Sequence, residues 1–148
     1  MSELPEPVTT ALRSAVRAEH AAVWVYALAS AFATESRVRS AIDEATDTHR
    51  LYRDRGEQTL RDAGLTPPTA EPAYALPEPV TDQPSAIRML LTTEHECAVG
   101  WRAVLDAEGA EPWRGLALEA LTAAARRGTR WRLTVGEQPA APPFPGRP

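Results

Sequence analysis

Two short stretches of the sequence place a glutamate and a histidine inside an otherwise apolar run. The stretch RAEHAAVWVY contains Glu19 and His20, and TTEHECAVGW contains Glu94 and His95. The remaining histidine, His49, lies between the two stretches. Carboxylates and imidazoles are metal ligands and proton carriers, and a buried carboxylate without a partner is costly. The sequence therefore predicts that these side chains bind an ion or pair with one another.

Four helices are predicted to position these residues. In each of four segments, apolar residues recur every three or four positions, which is typical of an amphipathic helix. The predicted helices span about residues 8–33, 35–63, 83–108 and 112–136. This pattern predicts an all-α four-helix bundle, and a chain of 148 residues suits a single domain covering residues 1–148.

The ends of the predicted helices carry recognisable signals. Thr9 or Thr10 can cap the first helix by accepting a backbone N–H bond. Asp82 is a good N-cap for the third helix, which has Pro84 in its first turn. Gly64 follows the second helix, where a residue in the left-handed conformation is expected.

The link between the second and third helices, residues 64–82, is rich in proline and therefore not helical. About sixteen residues in a polyproline conformation reach roughly 50 Å, whereas a helix of about 26 residues measures ~39 Å. The link can therefore run the whole length of the bundle. Two antiparallel hairpins joined by such a crossover form the ferritin-like topology. The Pro-rich tail, residues 137–148, is expected either to pack through Phe144 or to be disordered.

Residue counting places three polar residues at one height in the predicted core. Glu19 and Glu94 each lie about 14 residues before the end of their helices, and His49 lies about 14 residues after the start of its helix. All three occupy core-facing positions by their spacing. His20 and His95, one residue further along, are rotated by about 100° and are expected to flank the core or an interface.

This layout resembles the ferritin-like superfamily. The segments AEHAAVWVYA, DTHRLYRDRG, PAYALPEPVTD and the closing RWR and PFPG more closely resemble a ferritin-like domain family of unknown function, found mostly in high-GC bacteria. In metal-binding members of the superfamily, helices one and three each supply a glutamate, and helices two and four each supply Glu-x-x-His. By this resemblance Glu19, His49 and Glu94 match the ligand positions of helices one, two and three, whereas the cofactor stays open, with iron or manganese as candidates.

The sequence departs from that ligand pattern at two helices. Thr46, not a carboxylate, precedes His49 by three residues. The fourth helix has no histidine, and its glutamate, Glu119, is followed three residues later by Thr122. A dinuclear iron centre uses about six protein ligands, so the resemblance implies the fold but not a complete di-iron centre.

Two interpretations of the polar positions remain open. In the first, Glu19 pairs with His49, and Glu94 pairs with an arginine of the fourth helix, at position 126, 127 or 130. Arginines would then neutralise the glutamates in place of an ion. In the second, Glu19, His49 and Glu94 hold one metal ion, because two carboxylates and one imidazole suit iron, manganese or zinc.

The corresponding functions also differ in class. The first interpretation predicts a degenerate ferritin-like bundle that works by binding, as a homodimer or with a protein partner. A small molecule is a further predicted partner, because Ala124 and Gly128 would leave space beside Glu94. The second interpretation predicts a metalloprotein or an oxidase-like enzyme with a partial metal site. Whether the chain is an enzyme stays open at this stage.

Composition argues against several other classes of function. The formal net charge of −4 argues against a nucleic-acid partner, whose binding surface is usually basic. No apolar run approaches the roughly 18 residues that a membrane span needs, and no signal peptide is recognisable, so no membrane partner and a cytoplasmic location are expected. The single cysteine, Cys97, excludes an intramolecular disulfide and is expected to be a small core or boundary residue.

Overall fold

The computed structural model describes residues 3–148 and confirms an all-α four-helix bundle. Its helices are α1 (Glu6–Ser30), α2 (Ser36–Asp62), α3 (Gln83–Asp106) and α4 (Arg114–Val135), with a short 3₁₀ turn at Glu111–Trp113 before α4. Residues 3–148 contain no β-strand. Over the same range, no helix is both long enough and apolar enough to cross a membrane.

The start of α1 differs from the sequence prediction. The helix begins at Glu6, with Pro5 as its N-cap residue and Pro7 in its first turn, where a fixed φ and a missing N–H cost nothing. The prediction of Thr9 or Thr10 as the cap was wrong, because both lie inside the helix. The Thr9 N–H donates to the Pro5 carbonyl at 2.9 Å, and the Thr10 hydroxyl donates to Glu6 at 3.1 Å.

The other helix ends lie close to their predicted positions. Asp82 caps α3 in a reciprocal capping box with Ser85, as its residue type predicts. Gly64 has a φ of +76° after α2, which confirms the expected left-handed residue. The α1 helix ends at Ser30 and not near residue 33, because its last turn tightens to three-residue hydrogen bonds, such as that from the Phe32 N–H to the Ala29 carbonyl.

Neighbouring helices are antiparallel, and the proline-rich link runs along the bundle. The side chain of Gln83, at the start of α3, accepts hydrogen bonds from the backbone N–H groups of Thr34 and Glu35 at 2.8 and 3.1 Å. The start of α3 therefore lies beside the α1–α2 turn, whereas α2 ends at the opposite end of the bundle. Residues 64–82 must span that length, which confirms two antiparallel hairpins joined by a long crossover.

Two aromatic side chains of α1 fix the crossover to the bundle. The Nε2 atom of His20 lies 3.2 Å from the Pro68 carbonyl oxygen and 2.9 Å from a Glu57 carboxylate oxygen. The rings of Trp24 and Tyr74 pack with their centroids 5.7 Å apart. His20 therefore lies outside the polar centre of the core, as its position one residue past the seam predicts.

The buried apolar residues form two clusters on either side of a polar layer. One cluster includes Leu12, Val16 and Trp101, and the other includes Tyr26 and Leu90. The polar layer between them consists of the buried side chains Glu19, His49, Glu94 and Arg127. The bundle thus has charged groups at mid-height, where a metal-free four-helix bundle usually has only apolar ones.

The α1–α3 packing allows a direct test at one glycine. A Cβ atom added to Gly100 would lie 2.9 Å from Ala15 Cα, which is backbone and cannot move away cheaply. We expect Gly100→Ala to destabilise the fold by about 2 kcal/mol through overpacking. The matched control is Gly115→Ala in α4, where nothing lies within 4 Å and alanine should stabilise by about 0.5–1 kcal/mol. Urea unfolding measures both, and equal stability of the two variants would contradict the packing argument.

Candidate functional site

The three polar residues singled out in the sequence meet in the structure. The Nδ1 atom of His49 lies 2.5 Å from Glu19 Oε2, and its Nε2 atom lies 2.7 Å from Glu94 Oε1. The side chains of His49, Glu19 and Glu94 are 0, 1 and 2% exposed. An imidazole from α2 therefore bridges a carboxylate of α1 and a carboxylate of α3 in the centre of the core.

An arginine of α4 completes the charged group. The Nε–H of Arg127 donates to Glu94 Oε1 at 2.8 Å, and its side chain is 10% exposed. This is the pairing of Glu94 with a helix-four arginine that the sequence suggested, and position 127 is the one that makes it. Arg130 instead points outwards and lies 3.9 Å from the exposed Glu44 carboxylate.

Aromatic side chains donate further hydrogen bonds to both carboxylates, and Tyr26 shares the oxygen of Glu94 that His49 and Arg127 already contact. The indole N–H of Trp101 donates to Glu19 Oε1 at 2.8 Å, and the Tyr26 hydroxyl donates to Glu94 Oε1 at 2.5 Å. The indole N–H of Trp131 in turn donates to the Tyr26 oxygen at 2.9 Å. Glu94 Oε2 has no partner within the described chain.

The carboxylates hold His49 in its doubly protonated form. Burial disfavours a charged imidazole, but the neighbouring Glu94 and Glu19 carboxylates outweigh it and raise the pKa of His49 to about 9. For Glu94, burial alone would raise the pKa, yet the charges and hydrogen bonds of His49 and Arg127 lower it. The cationic His49 and Arg127 side chains therefore face an ionised Glu94 in the centre of the core.

Two further buried groups stay protonated and neutral. Burial, and then the Glu94 charge, raise the pKa of Tyr26 well above its ordinary value. Burial, followed by the charges of Glu19 and Glu94, likewise raises the pKa of the Cys97 thiol. The thiol donates to the Ala18 carbonyl at 3.6 Å and lies 4.0 Å from His49 Nδ1. It is therefore a hydrogen-bond donor beside the network and not a nucleophile.

The other residues considered in the sequence lie away from this centre. His95 is exposed. Glu119 is also exposed and forms an ion pair with Arg55 at 2.6 Å. Thr46 occupies the sequence position at which a metal-binding relative would have a carboxylate. Its hydroxyl donates to the Ile42 carbonyl at 2.7 Å and not to the network. These placements agree with the absence of Glu-x-x-His pairs from α2 and α4.

Comparisons with known proteins agree with this fold. The sequence matches the family described as Domain of unknown function (DUF4439) over residues 11–148. The chain belongs to this family. A solved structure titled as a conserved hypothetical protein, rv2844, from Mycobacterium tuberculosis is similar to this DUF4439 member. It is 32% identical, with a TM-score of 0.84, over 94% of this chain and 97% of that one. No curated protein matches this chain.

The ligand set of this DUF4439 member does not fit a dinuclear centre. In the part of the chain described, the one group of three metal-ligating side chains with mutually close donor atoms is Glu19, His49 and Cys97, within 4.8 Å of one another. A thiol that burial keeps protonated is a poor ligand, since metals bind the thiolate. Both ring nitrogens of His49 already face carboxylates, and Arg127 adds a positive charge beside Glu94.

Sequence reasoning missed the functions of three aromatic residues and of Cys97. Tyr26 follows Glu19 by seven residues, and Trp101 follows Glu94 by seven, so each aromatic lies two turns along the same helix face. Each then bonds the glutamate of the other helix, because α1 and α3 are antiparallel. The shared Glu-to-aromatic spacing was a signal available in the sequence. The position of Cys97 beside His49 had no comparable signal.

Proposed function

We propose that this chain is a ferritin-like bundle in which a buried, hydrogen-bonded network replaces the metal centre, and that it works by binding and not by metal-dependent oxidation. The observation that carries this proposal is the occupation of both ring nitrogens of His49 by Glu19 and Glu94. Arg127 supplies the second positive charge. A group already balanced in this way gains little from a divalent ion.

Three features support the ferritin-like assignment. The helices form two antiparallel hairpins, the crossover runs the length of the bundle, and α1 and α3 each carry a buried glutamate at mid-height. The network would then serve to fix the register of the four helices, a role attested for buried polar groups in other helical assemblies. Binding of a homodimer partner, another protein or a small molecule would use the surface outside it.

Metal loading tests this proposal directly. Untagged protein is incubated anaerobically with Fe(II) or Mn(II), desalted and subjected to elemental analysis. We expect no stoichiometric metal in the wild-type protein and no change in Glu19→Gln, because the cations of the network are His49 and Arg127. About one equivalent of iron or manganese per chain, lost in the Glu19→Gln variant, would overturn the proposal.

A second candidate function is a metalloprotein or oxidase-like enzyme with a partial site at Glu19, His49 and Glu94. The proximity of Cys97 to Glu19 and His49 favours it, because the thiol would add a fourth donor to the predicted three once it lost its proton. Iron or manganese could be held only if His49 lost a proton and the carboxylates turned from it. This candidate requires that His49→Ala abolish metal binding while the helical content, measured by circular dichroism, is retained.

A further inference from the structure

A pocket outside the polar network lies between α3, α4 and the C-terminal tail. Its volume is about 810 Å³, and Glu94, Ala124 and Gly128 line its inner end. The small side chains of Ala124 and Gly128 predicted a space beside Glu94, and the structure contains one. Its walls are largely apolar and include Leu118 and Phe144. The size falls in the range of pockets that take small organic molecules.

The tail forms one wall of this pocket and packs closely on α3. Gly146 has a φ of +78°, and a Cβ atom there would clash with the Ala98 carbonyl oxygen. The Arg102 guanidinium donates to the Pro145 carbonyl at 3.4 Å. The close approach at Gly146 holds the preceding tail residues across the opening between α3 and α4.

The backbone of Phe144, two residues before Gly146, has an unusual conformation. Phe144 has a φ of +55°, in the left-handed region that bulky residues rarely adopt, and its side chain is 62% exposed. Strained backbone of this kind tends to occur at ligand-binding sites. Here it holds a large apolar ring at the mouth of an apolar pocket, where a bound molecule would cover it.

The rim of the pocket is positively charged. Four arginines line it: Arg126, Arg130, Arg132 and Arg147. Three of them, Arg126, Arg132 and Arg147, have no carboxylate within 4.0 Å among residues 3–148. Glu94 is the single acidic residue of the described lining, and its charge is already balanced by His49 and Arg127. The charge at the mouth is therefore complementary to an anion.

We propose that this pocket binds an amphipathic organic anion, a molecule with one carboxylate and an unbranched or aromatic apolar body. The carboxylate lies against the arginines of the rim, and the apolar body packs on Leu118, Leu121 and Phe144. Arginine suits this role because its planar guanidinium can bind a carboxylate through two hydrogen bonds. This inference deepens the proposed binding function and rests on it.

Calorimetric titration of the metal-free 148-residue chain with decanoate tests the inference. We expect one saturable site per chain, and at least tenfold weaker binding of decyltrimethylammonium and of decanol, which lack the negative charge. Arg132→Glu should weaken decanoate binding at least tenfold, because Arg132 lines this pocket. The matched control is Arg37→Glu, which makes the same charge change on the far side of α4, in the groove between α2 and α4, and should stay within twofold.

Phe144→Ala provides a second variant, on an exposed side chain whose loss leaves the helical core intact. It should weaken decanoate binding about tenfold. Equal weakening in Arg132→Glu and Arg37→Glu, or equal affinity for decanol and decanoate, would overturn the inference. A dimer detected by light scattering, dissociated by Phe144→Ala and unable to bind decanoate, would also overturn it.

The failure of this inference is distinguishable from the failure of the proposed function. Absence of decanoate binding to a chain that holds no metal would overturn only the ligand class. Stoichiometric iron or manganese in the same samples would overturn the metal-free binding function itself.

Discussion

His49→Ala is expected to cost the folded state about 3–5 kcal/mol, the largest effect of any single substitution considered for this chain. The variant removes the cation between Glu19 and Glu94, whose side chains are 1 and 2% exposed. Breaking a buried pair by removing one partner leaves uncompensated charge in a medium of low polarity. Since domains are stable by only about 5–15 kcal/mol, this is a large fraction of the total.

Urea unfolding followed by circular dichroism measures the cost. His95→Ala is the matched control, because His95 is exposed and should change stability by less than about 0.5 kcal/mol. If His49→Ala does not fold, His49→Gln retains hydrogen-bonding groups without the charge and should still be destabilised. Wild-type stability in both His49 variants would mean that the glutamates do not depend on an imidazolium.

The pH dependence of the free energy of unfolding provides a second test for a positively charged His49. The pKa of His49 is about 9 in the folded chain, against 6.5 for an ordinary histidine. The folded state therefore binds this proton more tightly than the unfolded state. The stabilisation is fully present below pH 6.5 and is lost as the pH rises towards 9. We expect the free energy of unfolding to fall by about 2 kcal/mol between pH 6 and 8.5.

The measurement is urea unfolding at several values of pH within that window. Above pH 8.5, the Cys97 thiol ionises in the unfolded chain but not in the folded one, because burial raises its pKa in the folded chain. This ionisation lowers the free energy of unfolding further. The window therefore stops at pH 8.5. The His49→Gln variant should show a much flatter profile. A wild-type profile that is flat, or that rises with pH, would contradict a charged His49.

The two results together bear on the choice between binding and metal chemistry. A His49 that is protonated near neutral pH cannot also donate a lone pair to a metal ion, since metal ligation needs the neutral imidazole. Strong pH dependence with no metal uptake would support the paired network. Retention of metal with loss of the pH dependence would support the partial site at Glu19, His49 and Glu94.

Much of the fold follows from local sequence patterns. The three- and four-residue spacing of apolar side chains predicts four helices, and the proline density of residues 64–82 predicts an extended crossover. Helix periodicity and proline content reflect local backbone geometry, so these elements can be predicted without knowledge of the tertiary contacts. Cap positions are less secure: Asp82 caps its helix, whereas Thr9 and Thr10 do not. In α1, the helix begins at Glu6, beside Pro5 and Pro7, and therefore before either threonine.

Counting along the helices also places Glu19, His49 and Glu94 at one height, because helix rise per residue is constant. The sequence therefore determined which polar residues meet. Only the tertiary structure decided how they pair. Side-chain hydrogen bonds depend on helix rotation and separation to within about 1 Å, which no periodicity supplies. For that reason packing alone selected Arg127 over its neighbours, gave each glutamate an aromatic donor from the other helix, and placed the tail across the pocket beside α4.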